Sequence, residues 1–197
     1  MNLTIYSLAF LGGFTIMSLE LLGGRMMQPY FGSSVYVWGS IITIFMLSLS
    51  LGYLWGGRLS LRAPTLGKFG AIFLSAAVTM YPLVYLAEPT MELIFRAIED
   101  PRYGSLVASG ILFVVPTVIL GIISPYSVRL LVETTERAGQ VAGRLYFVST
   151  LGSALGTLAT SFYFVLWFEM NTIVTLLTIA LLIMGALGIA LQRRSGP

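Results

Sequence analysis

The sequence predicts an all-α polytopic membrane bundle of about six transmembrane helices, in one domain spanning residues 1–197. Three observations carry this. Hydrophobic residues make up 57% of the chain and charged residues only 10%, against about 25% charged in soluble domains. Mean hydropathy is +0.91. Six apolar runs, at about 3–24, 35–57, 66–87, 104–124, 141–168 and 171–192, each reach the roughly 20 residues that a spanning helix needs.

Each element has its own signals. The run from Leu3 to Leu22 lacks a basic n-region and an A-x-A cleavage site, so it reads as a first span and not a signal peptide. Gly23-Gly24, Pro29, Gly32 and Ser33-Ser34 follow it. They fit either a broken or re-entrant helix lining a transport site or a tight turn with Ser34 capping the second span. Trp38 and Trp55 mark the ends of the second span, about 25 Å apart. After the third span, PTMELIFRAIE (89–99) reads as a short interfacial helix started by Pro89 and ended by Pro101. Pro116 and Pro125 should kink or end the fourth span. Residues 124–140 form the longest polar stretch. The fifth span carries small residues at four-residue spacing: Gly139/Gly143, Ser149/Ser153 and Gly152/Gly156/Thr160. Such a lattice, centred on Gly152 and Gly156, predicts close helix packing, within the chain or between chains. Gly52 and Gly56 offer a second such face. The similar strings at 52–59 and 139–145 do not align as an inverted repeat.

Eight basic residues (Arg58, Arg62, Lys68, Arg129, Arg137, Arg144, Arg193, Arg194) fall on the side of the termini and three (Arg25, Arg96, Arg102) on the other. The positive-inside rule then places both termini in the cytoplasm and the protein in the inner membrane. There is no Cys or His, and Asp100 is the only aspartate. Those absences remove thiol and histidine chemistry, thiolate metal sites and a paired-aspartate protease. No cofactor, metal or enzymatic activity is expected. The net charge of +3 does not suggest nucleic acid.

Glu20, at the mouth of the first span, is the leading candidate site residue, because a carboxylate at membrane depth is costly. It reads either as a cation or proton site or as the partner of Arg25 in an ion pair, which unwinding at Gly23-Gly24 would bring together. Tyr30, Phe31, Tyr36 and Trp38 read as an organic-cation cage or as an interfacial aromatic belt. Arg58, Arg129 and Arg144, at helix ends near Glu133 and Glu136, read as a cytoplasmic charge latch or a docking surface, beyond plain topology.

The runs E-x4-R-x3-PYFGSSVYVWG, LGYLWGGRLS, GIISPYSVRLL and AGQVAGRLYFVSTLGSALGT together resemble the membrane portion of the spermidine synthase-like, or fused major-facilitator/spermidine-synthase, membrane proteins. The likeness covers nearly the whole chain. LGYLWGGRLSLR is also similar to a degenerate major-facilitator loop between helices 2 and 3. The resemblance implies a bundle like half of a major-facilitator transporter. Many members continue into a soluble aminopropyltransferase-like domain, whereas this sequence ends at Pro197. It therefore implies no catalytic residues here, and a module working alone or with a separate soluble synthase-like partner. The expected function is a transporter-like subunit for polyamine- or amino-acid-like cations, with Glu20, Arg25, Tyr30 and Trp38 at the substrate. The rival is a non-transporting scaffold or accessory subunit. Partners expected are the bilayer and a second copy or other membrane subunits.

Overall fold

The computed structural model describes residues 2–132 and 134–194. Its helices are α1 (Asn2–Phe31), α2 (Val35–Ser60), α3 (Leu66–Met80), α4 (Leu83–Ala97), α5 (Pro101–Leu131), α6 (Ala138–Ala159), α7 (Val165–Trp167) and α8 (Met170–Arg194). A 3-10 turn, Thr135–Arg137, precedes α6, and a π turn, Thr160–Phe164, joins α6 to α7. No strand occurs among the described residues. Five helical stretches are long and apolar enough to cross a membrane, and the bent pair α3–α4 would make a sixth span.

Several boundaries differ from the sequence expectation, for identifiable reasons. The first span does not unwind at Gly23-Gly24; α1 runs on to Phe31. Those glycines serve close packing instead. A Cβ on Gly23 would meet the Phe113 ring at 3.0 Å, and one on Gly24 the Trp38 ring at 2.6 Å. The chain turns only at Gly32, whose φ of +78° suits glycine. Ser34 holds the N-cap position of α2 but makes no side-chain cap bond. The third span breaks at Tyr81-Pro82, with a 45° bend, because Pro82 offers no N–H and its ring crowds the preceding turn. Pro89 therefore starts no separate interfacial helix; it lies inside α4. Pro116 and Pro125 do not end α5. Pro125 packs over Gly56, where a Cβ would sit 2.7 Å from its ring, and neighbouring helices make such prolines tolerable within the membrane. Asp100 caps α5 by accepting from the Arg102 N–H, with Pro101 at the first position. The Arg102 side chain and N–H also hold the Asp100 carboxyl below the usual carboxylate range.

Three seams of small residues hold the bundle together. A Cβ added at Gly152 or Gly156 of α6 would collide with the carbonyls of Phe10 or Phe14 on α1. Ser153 Oγ donates to Gly13 O at 3.2 Å, and Ser18 Oγ to Gly156 O at 3.4 Å. Gly52 and Gly56 of α2 press on Val118, Gly121 and Ile122 of α5, and Gly70 of α3 presses on Gly185 of α8. With lipid as solvent, contact this close is the main source of helix association. The lattice on α6 thus packs within the chain, whereas Gly139 and Gly143 face open space.

The first two seams are copies of one another. Phe10, Gly13 and Phe14 on α1 match Val118, Gly121 and Ile122 on α5, each 108 positions on; Leu49, Gly52 and Gly56 on α2 match Ser149, Gly152 and Gly156 on α6, each 100 positions on. The pairs Gly152–Phe10, Gly156–Phe14 and Gly13–Ser149 correspond one for one to Gly52–Val118, Gly56–Ile122 and Gly121–Leu49. Helices α1 and α5 run antiparallel, since Gly12 meets Ile123 while Gly23 meets Phe113. The α1–α6 and α2–α5 pairs are therefore related as an inverted repeat. The similar strings at 52–59 and 139–145 do not mark it, because Gly52 pairs with Gly152 and not with Gly139.

These directions gather the starts of α1, α3 and α6 and the ends of α2, α5 and α8 at one end of the bundle. Tyr126 helps close that end. Its ring stacks on Phe69 at 5.6 Å and its hydroxyl accepts from the Thr65 N–H at 3.2 Å. Arg58, Arg62, Lys68, Arg129, Arg137, Arg144 and Arg193 lie at this end; Glu88, Glu92, Glu99, Asp100 and Glu169 lie at the other.

Candidate functional site

A cavity of about 520 Å³ lies where these two helix pairs meet. It takes Gly13, Ile16 and Met17 from α1, Leu49 and Tyr53 from α2, Ser124 and Pro125 from α5, and Tyr146, Ser149, Thr150 and Ser153 from α6. The repeat relates its walls. Ile16 and Met17 match Ser124 and Pro125, and Leu49 and Tyr53 match Ser149 and Ser153. Met17 is 15 residues into α1, about 22 Å along a helix of about 45 Å, so the cavity lies near mid-depth. Its polar groups are six uncharged hydroxyls, on Tyr53, Ser124, Tyr146, Ser149, Thr150 and Ser153. Among the described residues only Ser153 spends its hydroxyl on the protein, donating to Gly13 O. Unspent hydroxyls over an apolar floor are what a small polar ligand needs.

Glu20 does not line this cavity but lies one turn further along α1. It follows Ile16 by four residues and Met17 by three, so it shares their face of α1. Helical side chains lean toward the N-terminus, which tips Glu20 toward the cavity. It is half-buried and forms no ion pair among the described residues. The expected Glu20–Arg25 pair is not formed. With α1 unbroken, five residues place the two about 140° apart around the helix, and Arg25 is exposed.

The other expected site residues are dispersed. Trp38 packs on Gly24. Tyr36 carries the Arg102 guanidinium 5.6 Å above its ring, and Tyr30 and Phe31 pack edge-on against Phe95. The four rings thus form no cage. Tyr30 instead lines a second cavity, of about 420 Å³, at the acidic end. Met26 and Pro29 of α1, Val84, Ala87, Glu88 and Met91 of α4, Glu169, and Met170 and Asn171 of α8 complete it. Its lining holds two carboxylates and no basic residue. Arg58, Arg129 and Arg144 are exposed and form no ion pair with Glu136 or any other described carboxylate. Glu133, the other expected latch partner, lies outside the described residues.

Sequence reasoning did not single out the hydroxyls of the central cavity, or Glu88 and Glu169. The 100-residue echo of Gly52/Gly56 in Gly152/Gly156 was the available signal for the first group, since it aligns the Leu49–Tyr53 and Ser149–Ser153 turns. Nothing local distinguishes Glu169, which is brought to Glu88 by tertiary packing alone. No family model, curated protein or solved structure matches this chain.

Proposed function

We propose that the chain is a transporter-like membrane subunit that binds a small organic cation, of the polyamine or amino-acid type, in the central cavity. Glu20 supplies the counter-charge and the hydroxyls of Tyr53, Ser124, Tyr146, Ser149 and Thr150 supply directional contacts. The single observation that carries this reading is an unpaired carboxylate at membrane depth beside a hydroxyl-lined cavity at the junction of two inverted helix pairs. Intramembrane carboxylates are retained for function or for pairing, and Glu20 has no pair among the described residues. Inverted-repeat transporters bind substrate at the repeat junction, near mid-membrane. The acidic cavity of Glu88 and Glu169 would raise the local cation concentration at the far end. The resemblance to the spermidine synthase-like membrane proteins supports a major-facilitator-like half that works alone or with a separate soluble synthase-like partner.

The test is binding and uptake by the purified chain in liposomes. Radiolabelled spermidine, putrescine and arginine should give saturable, mutually competitive uptake that exceeds that of protein-free vesicles. A flat response to every cation, with the protein intact, would leave a scaffold role in its place.

The same reading places both termini in the cytoplasm, because the basic end faces inward under the positive-inside rule. The chain lacks cysteine, so single cysteines report cleanly. Glu99→Cys should react with a membrane-impermeant maleimide in intact cells and Arg62→Cys should not; both positions are exposed. The opposite pattern would invert the orientation.

A further inference from the structure

Where α6 starts beside the first turns of α1, Tyr6, Gly143, Arg144, Phe147 and Val148 line a shallow groove of about 400 Å³. We infer that this groove is a binding site for an anionic phospholipid, with the headgroup phosphate on Arg144 and an acyl chain along Phe147 and Val148. It is separate from the substrate cavity and does not depend on transport.

Charge, depth and shape converge on this occupant. Arg144 is exposed and has no carboxylate partner among the described residues. The surrounding end carries Arg58, Arg62, Lys68, Arg129, Arg137 and Arg193, with Glu136 the only acid described there. That field favours an anionic headgroup over a zwitterionic one of no net charge. The Tyr6 hydroxyl makes no bond within the protein among the described residues and is available to a phosphate oxygen. One turn deeper, Phe147 is 68% exposed, and the lining below Arg144 is apolar. A free anion has no use for such a floor, whereas a diacyl lipid does. Gly143 leaves the groove open, with nothing within 4 Å of where its Cβ would be.

That open space makes a clean experiment. Gly143→Leu puts a side chain into the groove from a position where nothing lies within 4 Å of the added Cβ, and Arg144→Gln removes the charge from an exposed side chain. The full chain in detergent is titrated with phosphatidylglycerol or with phosphatidylcholine of the same acyl chains, and Tm and lipid retention in native mass spectra are read. Phosphatidylglycerol should raise the Tm of the unmodified protein more than phosphatidylcholine does. Arg144→Gln should weaken its retention roughly fivefold, the factor that one surface arginine contributes to anionic-lipid attraction. Gly143→Leu should weaken it at least as much, and Arg62→Gln should leave it intact. The site is refuted if both lipids act alike, if Arg144→Gln and Gly143→Leu keep the phosphatidylglycerol preference, or if Arg62→Gln loses it equally. Stabilisation by inorganic phosphate alone would replace the lipid with a free anion and also overturn the assignment.

Discussion

Gly152→Leu should abolish the monodisperse folded protein. A side chain there drives into the backbone carbonyl of Phe10, and one at Gly156 would sit 2.9 Å from Phe14 Cα. Backbone cannot swing aside as a side-chain tip can. Helix α1 cannot retreat either, because its opposite side is pressed on α5, where a Cβ on Gly12 would sit 3.1 Å from Ile123 and one on Gly23 3.0 Å from Phe113. Overpacking a filled site costs about 1–3 kcal/mol even when side chains can yield, and total stability is only about 5–15 kcal/mol. The repeat extends the expectation to Gly52→Leu, whose Cβ meets the Val118 carbonyl. Gly57→Leu and Gly143→Leu are the matched controls, since nothing lies within 4 Å of either position. Size-exclusion chromatography in mild detergent should show aggregation for the first three variants and a native profile for the controls. Native profiles for Gly152→Leu, Gly156→Leu and Gly52→Leu together would refute the seams as the source of cohesion. Equal damage at Gly57 would show that leucine as such, and not the close approach, is harmful.

The contrast between Gly56 and Gly57, adjacent yet opposite in environment, shows what the sequence makes legible. Helix class and the small-residue face of the fifth span follow from composition and four-residue spacing, which are local properties. Which helix fills that face is not local; Phe10 and Phe14 carry no mark of being partners. Breaks were misjudged for a related reason. Gly23-Gly24 and Pro125 have the composition of breaks, but Phe113, Trp38 and Gly56 pack against them, and the helices run on; Pro116 too lies buried inside an unbroken α5. Pro82, which does break its span, was absorbed into an apolar run. At the site, Glu20 was legible because an acid in an apolar segment stands out. Its neighbours were not, since serine, threonine and tyrosine are ordinary in membrane helices until tertiary packing gathers them. The inverted repeat hid because its sequence trace is as short as Leu51-Gly52-x3-Gly56 echoed in Leu151-Gly152-x3-Gly156, and α1 and α5 are offset by 108 residues where α2 and α6 are offset by 100.

Glu20→Gln should separate the two readings that the sequence left open. The substitution keeps shape and removes only the charge. Were Glu20 bonded to Arg25, losing it would strand a cation, destabilise the protein, and be partly rescued by Arg25→Gln. The unbroken α1 points the other way: the two residues lie on different sides of the helix and no ion pair joins them. Thermal stability of Glu20→Gln should therefore stay within about 0.5 kcal/mol of the unmodified protein, the usual range for substitutions that break no internal contact. Cation binding should behave differently. A hydrogen bond to a charged group contributes about 1.5–3 kcal/mol, so affinity should fall roughly ten- to a hundredfold. Arg25→Gln should restore none of it. Ser149→Ala and Thr150→Ala, which remove hydroxyls unspent within the protein, should weaken binding less and leave stability unchanged. A fall in stability rescued by Arg25→Gln would reinstate the pair and demote Glu20 to a structural role. Unaltered binding in Glu20→Gln would remove the counter-charge from the proposed site altogether, and with it the reason to place a cation there.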